Sequence, residues 1–401
     1  MKKLLILFLP FALLWSADYN RYMPPPQTKA PVRQAPMKEI TPPVSPMATN
    51  DFDITLEADF LWWTSNVTNL SYTTKYEVMT AGNVPAPGTR TTQPTRVSEP
   101  DWCWNPGVRV AFGINTNHDG WDLTADWTYY YNSFKNSKSV AEPIPTFLPS
   151  ASNPMGTELL STNFSEFSAA HSMASRTSAE GGFQMNQVDL ELGRNFYFSR
   201  RLTLRPFGGV RGHFSHLDLR SKKTFEGSGA SSLIGFAKWN DNQKQKFWSV
   251  GIVGGFDSSW NIFKSLGIFG SGGFALCYGP FKNITHFLTH MRSPDRSDVI
   301  QETNIRKVHD QVWTYQQIVN LALGIRFDKS WINPNFHETF RVILDLGYEL
   351  HLYPSYNHLD QATSDNSAFS EGTTISTPIT YRPSKGDLST SGLVFRGRFE
   401  F

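Results

Sequence analysis

From residue 52 onward, apolar and polar residues alternate in strides of two. In residues 52–62, Ile54, Leu56, Ala58, Phe60 and Trp62 fall on one face, and Asp53, Thr55, Glu57 and Asp59 on the other. Val108, Val110, Phe112 and Ile114 oppose Arg109, Ala111, Gly113 and Asn115; Trp121, Leu123, Ala125, Trp127, Tyr129 and Tyr131 oppose Asp122, Thr124, Asp126, Thr128 and Tyr130. A period of two belongs to a β-strand whose two faces meet different surroundings; an amphipathic helix would repeat every ~3.6 residues. The pattern returns in residues 187–192, 202–214, 248–256, 266–278, 319–327, 341–352 and 392–401, so ten strands are predicted.

The links between these stretches alternate in length. Short ones fall near 116–120, 199–201, 261–265 and 328–338, and long ones near 63–102, 132–182, 217–245, 279–311 and 354–386. "NTNHDG" (Asn115 to Gly120) and "SRR" (Ser199 to Arg201) read as tight turns, the first with Asp-Gly chemistry. Long loops on one side and short turns on the other are the layout of a transmembrane antiparallel β-barrel with long extracellular loops and short periplasmic turns. An even strand count puts both ends of the barrel on the short-turn side. A soluble β-sandwich would alternate too, but would not need five long loops all on one side.

Aromatic residues gather at the strand ends. Trp121, Phe196, Tyr197, Phe198, Trp260, Trp331 and Phe401 lie at the short-turn ends; Trp62, Trp63, Trp104, Tyr129, Tyr131, Trp248, Tyr278 and Tyr315 lie toward the long loops. Two belts of amphipathic rings suit two membrane interfaces. In a barrel the last strand pairs with the first, so no edge is left unpaired in lipid. This accounts for "GLVFRGRFEF", where Leu393, Phe395, Gly397, Phe399 and Phe401 would face lipid and Arg396, Arg398 and Glu400 the lumen.

Upstream of residue 52 the character changes. Lys2 and Lys3 precede the apolar run "LLILFLPFALLW", too short to span a bilayer as a helix, with Ser16 and Ala17 after it. Residues 1–17 read as a signal peptide, with an uncleaved anchor as the alternative. Residues 18–50 are rich in proline, a periplasmic linker that is a flexible tail, a tether or a segment entering the pore; residues 51–401 are the barrel. A net charge of +2 is too balanced to suggest nucleic acid. Two cysteines are too few for a disulfide framework or a four-thiolate metal site. Cys103 and Cys277 fall on well-separated strands, so no bond between them is expected.

The candidate chemistry lies on the inward faces. The predicted lumen charges are Asp53, Glu57, Asp59, Arg109, Asp122, Asp126, Asp189, Glu191, Arg205, Arg211, Arg326, Arg341, Arg396 and Arg398. They read either as cross-strand ion pairs that satisfy a polar interior or as a transverse field at a constriction that orients small solutes. Two His-x-Asp pairs, His216-Leu217-Asp218 and His358-Leu359-Asp360, supply an acid and a base but no marked nucleophile. His286 and His290 would share a metal-binding face if their segment were helical, but no third ligand is evident. "GSGGF" (Gly270 to Phe274) has no Gly-Lys-Ser/Thr and reads as room for bulky neighbours rather than a phosphate loop. No catalytic residue, cofactor or metal is predicted.

Three stretches together carry a resemblance: "ITLEADFLWWTS" (Ile54 to Ser65), "PGVRVAFGINTNHDGWDLTADWTYY" (Pro106 to Tyr130) and "LRPFGGVRG" (Leu204 to Gly212). They resemble the Legionella-type major outer membrane protein family, also found in chlamydia-like bacteria and called MOMP-like. The resemblance implies a porin and surface antigen of the bacterial outer membrane, in contact with its lipid and with small solutes, and carries over no catalytic residues. Phe399 and Phe401 resemble the terminal signal read by the barrel assembly machinery. Because eight strands give a lumen just filled by side chains, ten leave at most a narrow channel. The alternative is a closed structural barrel whose long loops bind host surfaces or other envelope proteins.

Overall fold

The structure is a computed structural model; it describes residues 52–79, 91–116, 120–139, 158–161, 176–199, 201–226, 236–263, 265–292, 300–332, 339–364 and 379–401. The expected signal peptide (1–17) and linker (18–50) lie outside these residues. The strands are β1 (Phe52–Val67), β2 (Thr73–Met79), β3 (Thr91–Ser98), β4 (Asn105–Thr116), β5 (Trp121–Ser139), β6 (Glu158–Ser161), β7 (Arg176–Arg194) and β8 (Phe196–Tyr197). They continue with β9 (Leu202–Glu226), β10 (Phe236–Asn261), β11 (Leu266–Arg292), β12 (Ile300–Ile332), β13 (Thr339–Asn357), β14 (Asp360–Ser364), β15 (Ile379–Pro383) and β16 (Gly386–Glu400).

Ten of these close a ring in the order β1, β4, β5, β7, β9, β10, β11, β12, β13, β16 and back to β1, with β8 added alongside β9. Every pairing in the ring is antiparallel, as hairpins between consecutive strands require. The seam between the last strand and the first is continuous from Val67↔Leu388 to Thr55↔Glu400, and Ile54 and Phe401 exchange both backbone bonds at 2.8 and 3.0 Å. The fold is thus all-β, a closed ten-stranded antiparallel barrel.

Closure explains the alternation. Phe60, Ile252, Leu323 and Phe395 are large, apolar and more than half exposed on the outside, where a soluble protein would place polar groups. Residues of the opposite parity beside them, Asp59, Arg211, Glu349 and Asp345, are buried inside. Outward aromatics bracket this band. Trp248 and Trp313 lie 6.0 Å apart and Tyr278 and Tyr315 4.9 Å apart on the long-loop side, while Trp121, Phe196, Trp260 and Trp331 are exposed on the other. The barrel therefore presents to its surroundings what a bilayer demands. Trp63 departs from the expected outer belt. It follows Trp62 by one residue, takes the opposite parity and is fully buried in the lumen.

Among the described residues, strands run on into several of the expected long loops. β9 and β10 stay paired out to Glu226↔Phe236, and β11 and β12 out to Arg292↔Ile300, across segments predicted as loop. Beyond the bilayer the outward face meets water, so the pattern inverts: Leu217, Leu219, Phe247 and Phe281 are buried inside while His216, Arg220, Lys246 and Lys282 are exposed. The strand continues, but its apolar-outside signature does not. On the short-turn side, Gly120 closes the β4–β5 turn at φ 73, a conformation that favours glycine. In the glycine-rich stretch of β11, a β-carbon on Gly272 would come within 3.1 Å of the Phe256 ring, so that glycine makes room for an outward aromatic.

Candidate functional site

The interior divides into two levels. The inner half encloses a cavity of about 1220 Å³ that reaches from the short-turn residues Ser199, Arg201 and Ser265 up to Gln187, Asn320 and His351. Its wall is a web of arginines and carboxylates. Arg109 on β4 donates to Asp59 on β1 at 3.0 Å and, past β1 and β16, makes a bidentate pair with Glu349 on β13 at 3.0 Å. Arg396 on β16 lies 3.0 Å from Glu57, 3.2 Å from Asp59, 3.5 Å from Glu349 and 3.9 Å from Asp345. Arg398 meets Glu57 at 2.6 Å, Arg326 forks onto Asp345 at 2.8 Å, and Arg341 bridges Asp328 at 2.5 Å and Glu400 at 3.1 Å.

A second web lies on the other wall. Arg205 on β9 reaches Asp122 at 2.6 Å, Asp257 at 2.8 Å and Glu191 at 3.5 Å, and Arg211 forks onto Asp189 at 2.8 and 2.6 Å. Bidentate arginine pairs fix both geometry and charge. Of the fourteen lumen charges named from the sequence, Asp53 is buried near the inner end of β1 and Asp126 stands apart from the ion pairs made by the described residues. One oxygen each from Asp126, Asp189 and Glu191 lies within 4.8 Å of the others, a spacing that could hold a cation. Arg211 and Arg205 already counter two of those three charges. Asp257, Asp328, Asp345 and Glu349 complete the webs without having been singled out, together with Glu400, which the sequence already placed toward the lumen. Their signal was parity, because Asp345 and Glu349 share the inward face of Arg341, and Glu400 that of Arg398.

The outer half of the lumen is filled. Trp63 and Tyr130 pack at 5.3 Å between centroids, and Phe247 and Phe281 stack at 4.0 Å. Tyr356 presents its ring edge-on to Phe183, Phe247 and Phe281 at 5.8, 6.2 and 5.7 Å. All seven rings here, with Tyr353, are at most 2% exposed. These rings pack across the lumen above the charged cavity.

The His-x-Asp pairs do not form an acid–base site together. His216 and Asp218 flank inward Leu217 and so point out of the barrel. His358 and Asp360 flank buried Leu359 in the filled region, where Thr285 donates to Asp360 at 3.1 Å. Burial lowers the pKa of His358, assisted by Lys385, and burial raises that of Asp360, partly offset by the Thr285 bond. His286 and His290 lie in strand, not helix; four residues of strand separate backbone positions by ~13 Å, which removes the premise for their sharing a metal. Ser215 touches His213 Nε2 at 3.1 Å, but the buried His213 Nδ1 meets no acid among the described residues, unlike a hydrolytic triad. Cys103 is exposed and Cys277 buried, both as free thiols.

A family model described as the Legionella pneumophila major outer membrane protein precursor matches residues 44–401. Among solved structures, the outer membrane protease OmpT from Escherichia coli is 10% identical, with 90% of this chain and 98% of that chain covered and a TM-score of 0.34. The toluene transporter TodX from Pseudomonas putida is 7% identical, with 89% and 90% covered and a TM-score of 0.21. Likeness at this level carries no functional argument. No curated protein matches the chain.

Proposed function

Because the chain belongs to the Legionella pneumophila major outer membrane protein family and is a barrel of the bacterial outer membrane, we propose that it is a porin-like passage for small solutes and a major surface protein. The carrying observation is the inner cavity of about 1220 Å³, walled by paired arginines and carboxylates. A solute entering it exchanges hydration for charged and amide groups already held in place, which is how a narrow pore lowers the cost of entry. Ten strands leave room for small solutes only.

The paired charges also stiffen the polar lumen: Arg109, Arg205, Arg341, Arg396 and Arg398 each sit beside more than one carboxylate, while Arg211 and Arg326 each fork onto one. In our reading their field is short-ranged and orients a solute locally rather than across the whole lumen. In this reading the passage is non-catalytic: the hydroxyl beside the second His-x-Asp pair, Thr285 Oγ1, donates to the Asp360 carboxylate at 3.1 Å rather than to a histidine. Planar-bilayer recording on refolded barrel tests the proposal: small, reproducible current steps are expected, and their absence at every voltage would end the porin reading.

A second reading is favoured by the filled outer half. A barrel closed by buried aromatics would serve as a structural platform whose outer extensions bind host surfaces or envelope proteins. Deleting those extensions while retaining the ten-stranded ring should abolish cell attachment on this reading; unchanged attachment would count against it.

A further inference from the structure

β13 leaves the barrel wall before it ends. Its pairing with β16 breaks between Tyr353, opposite Leu388, and Asn357, opposite Gly386. Ser355, inside the break, sits at φ 53, a left-handed conformation that a β-carbon disfavours. Over these residues the chain turns into the lumen and reaches strands all round it. Tyr353 donates to Met185 Sδ on β7 at 3.0 Å, and Tyr356 to Ser215 on β9 at 2.6 Å.

Its backbone is held by side-chain amides from three more strands. Gln316 on β12 donates to the Pro354 carbonyl at 2.9 Å. Gln245 on β10 donates to the Tyr356 carbonyl at 2.9 Å and accepts from the His358 N–H at 2.7 Å. Gln243 donates to the Asp360 carbonyl at 2.9 Å, and Asn283 on β11 to the His358 carbonyl. None of these amide-to-carbonyl bonds belongs to the barrel's ladders. Water can replace each at modest net cost while the ring stays closed.

The level beneath is polar where it is not aromatic. Among the described residues, Trp63 Nε1, His213 Nδ1 and Thr390 Oγ1 are buried without a protein partner, and hydration would satisfy them. A lumen meant to stay permanently dry at this level would be apolar.

We propose that residues 353–360 form a displaceable strap: lifting it joins the charged inner cavity to the outer rim, and its seated form closes the lumen. The functional consequence rests on the small-solute reading; the movement itself does not. Native Cys277 reports that movement. It is fully buried on the inward face of β11, two inward positions below Phe281, whose ring packs on Tyr356.

The experiment uses the refolded barrel in lipid vesicles, with Cys103→Ser leaving Cys277 as the sole thiol. A small cationic methanethiosulfonate is added, and modification is followed by mass. Joint Gln243→Ala and Gln245→Ala substitution should raise the rate at least tenfold, with the heat-modifiable folded form retained. In a Cys103→Ser, Cys277→Ser background, Gln245→Cys and His358→Cys joined by a short reducible cross-linker should abolish current, and reductant should restore it. An unchanged Cys277 rate in the alanine variant, or current indifferent to the cross-link, would overturn the strap. Faster Cys277 modification with no current in any variant would sink the passage reading and leave the strap standing.

Discussion

The most direct test of the inside–outside assignment compares two adjacent residues of β16. Phe395 is 51% exposed and pairs with Phe60 and Leu346, which are 54% and 49% exposed, in the apolar outer band. Phe395→Arg places a guanidinium on the lipid face, at a cost of ~2–4 kcal/mol near mid-membrane. Arg396, its neighbour, points into the cavity among four carboxylates. Each of the four keeps another guanidinium when Arg396→Leu removes this one: Glu57 keeps Arg398, Asp59 and Glu349 keep Arg109, and Asp345 keeps Arg326. The lumen substitution should therefore cost only ~1–2 kcal/mol.

Phe395→Leu is the control for lost aromatic area and should cost less than ~1.5 kcal/mol. The assay is the heat-modifiable band on gels after refolding into lipid vesicles, with urea titration of each variant. The expected order of loss is Phe395→Arg, then Arg396→Leu, then Phe395→Leu. Equal tolerance of the first two would refute the two-residue period on this strand, since they differ only in parity.

The other predictions use the same refolding assay or the Cys277 readout. Arg211→Leu should cost ~3–5 kcal/mol, more than Arg396→Leu, because Asp189, 2% exposed, then keeps no guanidinium among the described residues; replacing both members by leucine should recover most of the loss. Gly255→Ala should lower the folded yield, its β-carbon meeting the Gly272 carbonyl oxygen at 2.3 Å and the Phe207 ring at 2.7 Å, while Gly273→Ala, with nothing nearer than 3.8 Å, should fold normally; equal yields would contradict the packing. For pH, Asp360 is held above its ordinary 3.8 by burial, with Asp310 adding to the rise, so the seated strap carries the cost of the charged form at neutral pH and is relieved of it on acidification. Asp360→Asn should slow Cys277 modification at pH 7 and match the parent near pH 4, every rate being divided by that of the urea-unfolded protein at the same pH to remove the thiolate's own titration. In that variant the remaining trend should come from His358, which sits near Lys385 and Asp310 and is held below its ordinary 6.5, so the strap loosens as pH falls below about 6.5; a flat profile would refute the assignment.

What could be read from the sequence follows from where the surroundings change abruptly across a strand. Within the bilayer an outward residue meets hydrocarbon and an inward one meets polar groups, so Leu393, Phe395 and Phe399 separate cleanly from Arg396 and Arg398. Past the bilayer the outside becomes water and the inside becomes aromatic. Leu217, Leu219, Phe247 and Phe281 then take the inward parity that Arg205 and Arg211 hold lower down, and the contrast that marked a strand reads as loop. Strand-order neighbours were legible as well, as Asp59 and Arg396 show. Arg109 and Glu349 were not: they lie 240 residues and three strands apart, and meet only because the ring is narrow enough for one arginine side chain to pass two strands. The strap escaped for the same reason, since no local pattern in residues 353–360 reveals that Tyr356 will meet Phe183, Phe247 and Phe281 from three different strands. Narrowness thus governs both levels of the lumen. Below, it lets arginines bridge strands that are not neighbours, so charges pair instead of forming two opposed walls. Above, it lets one short segment touch the wall on every side, so few side chains suffice to close a barrel that the strand count alone leaves slightly open.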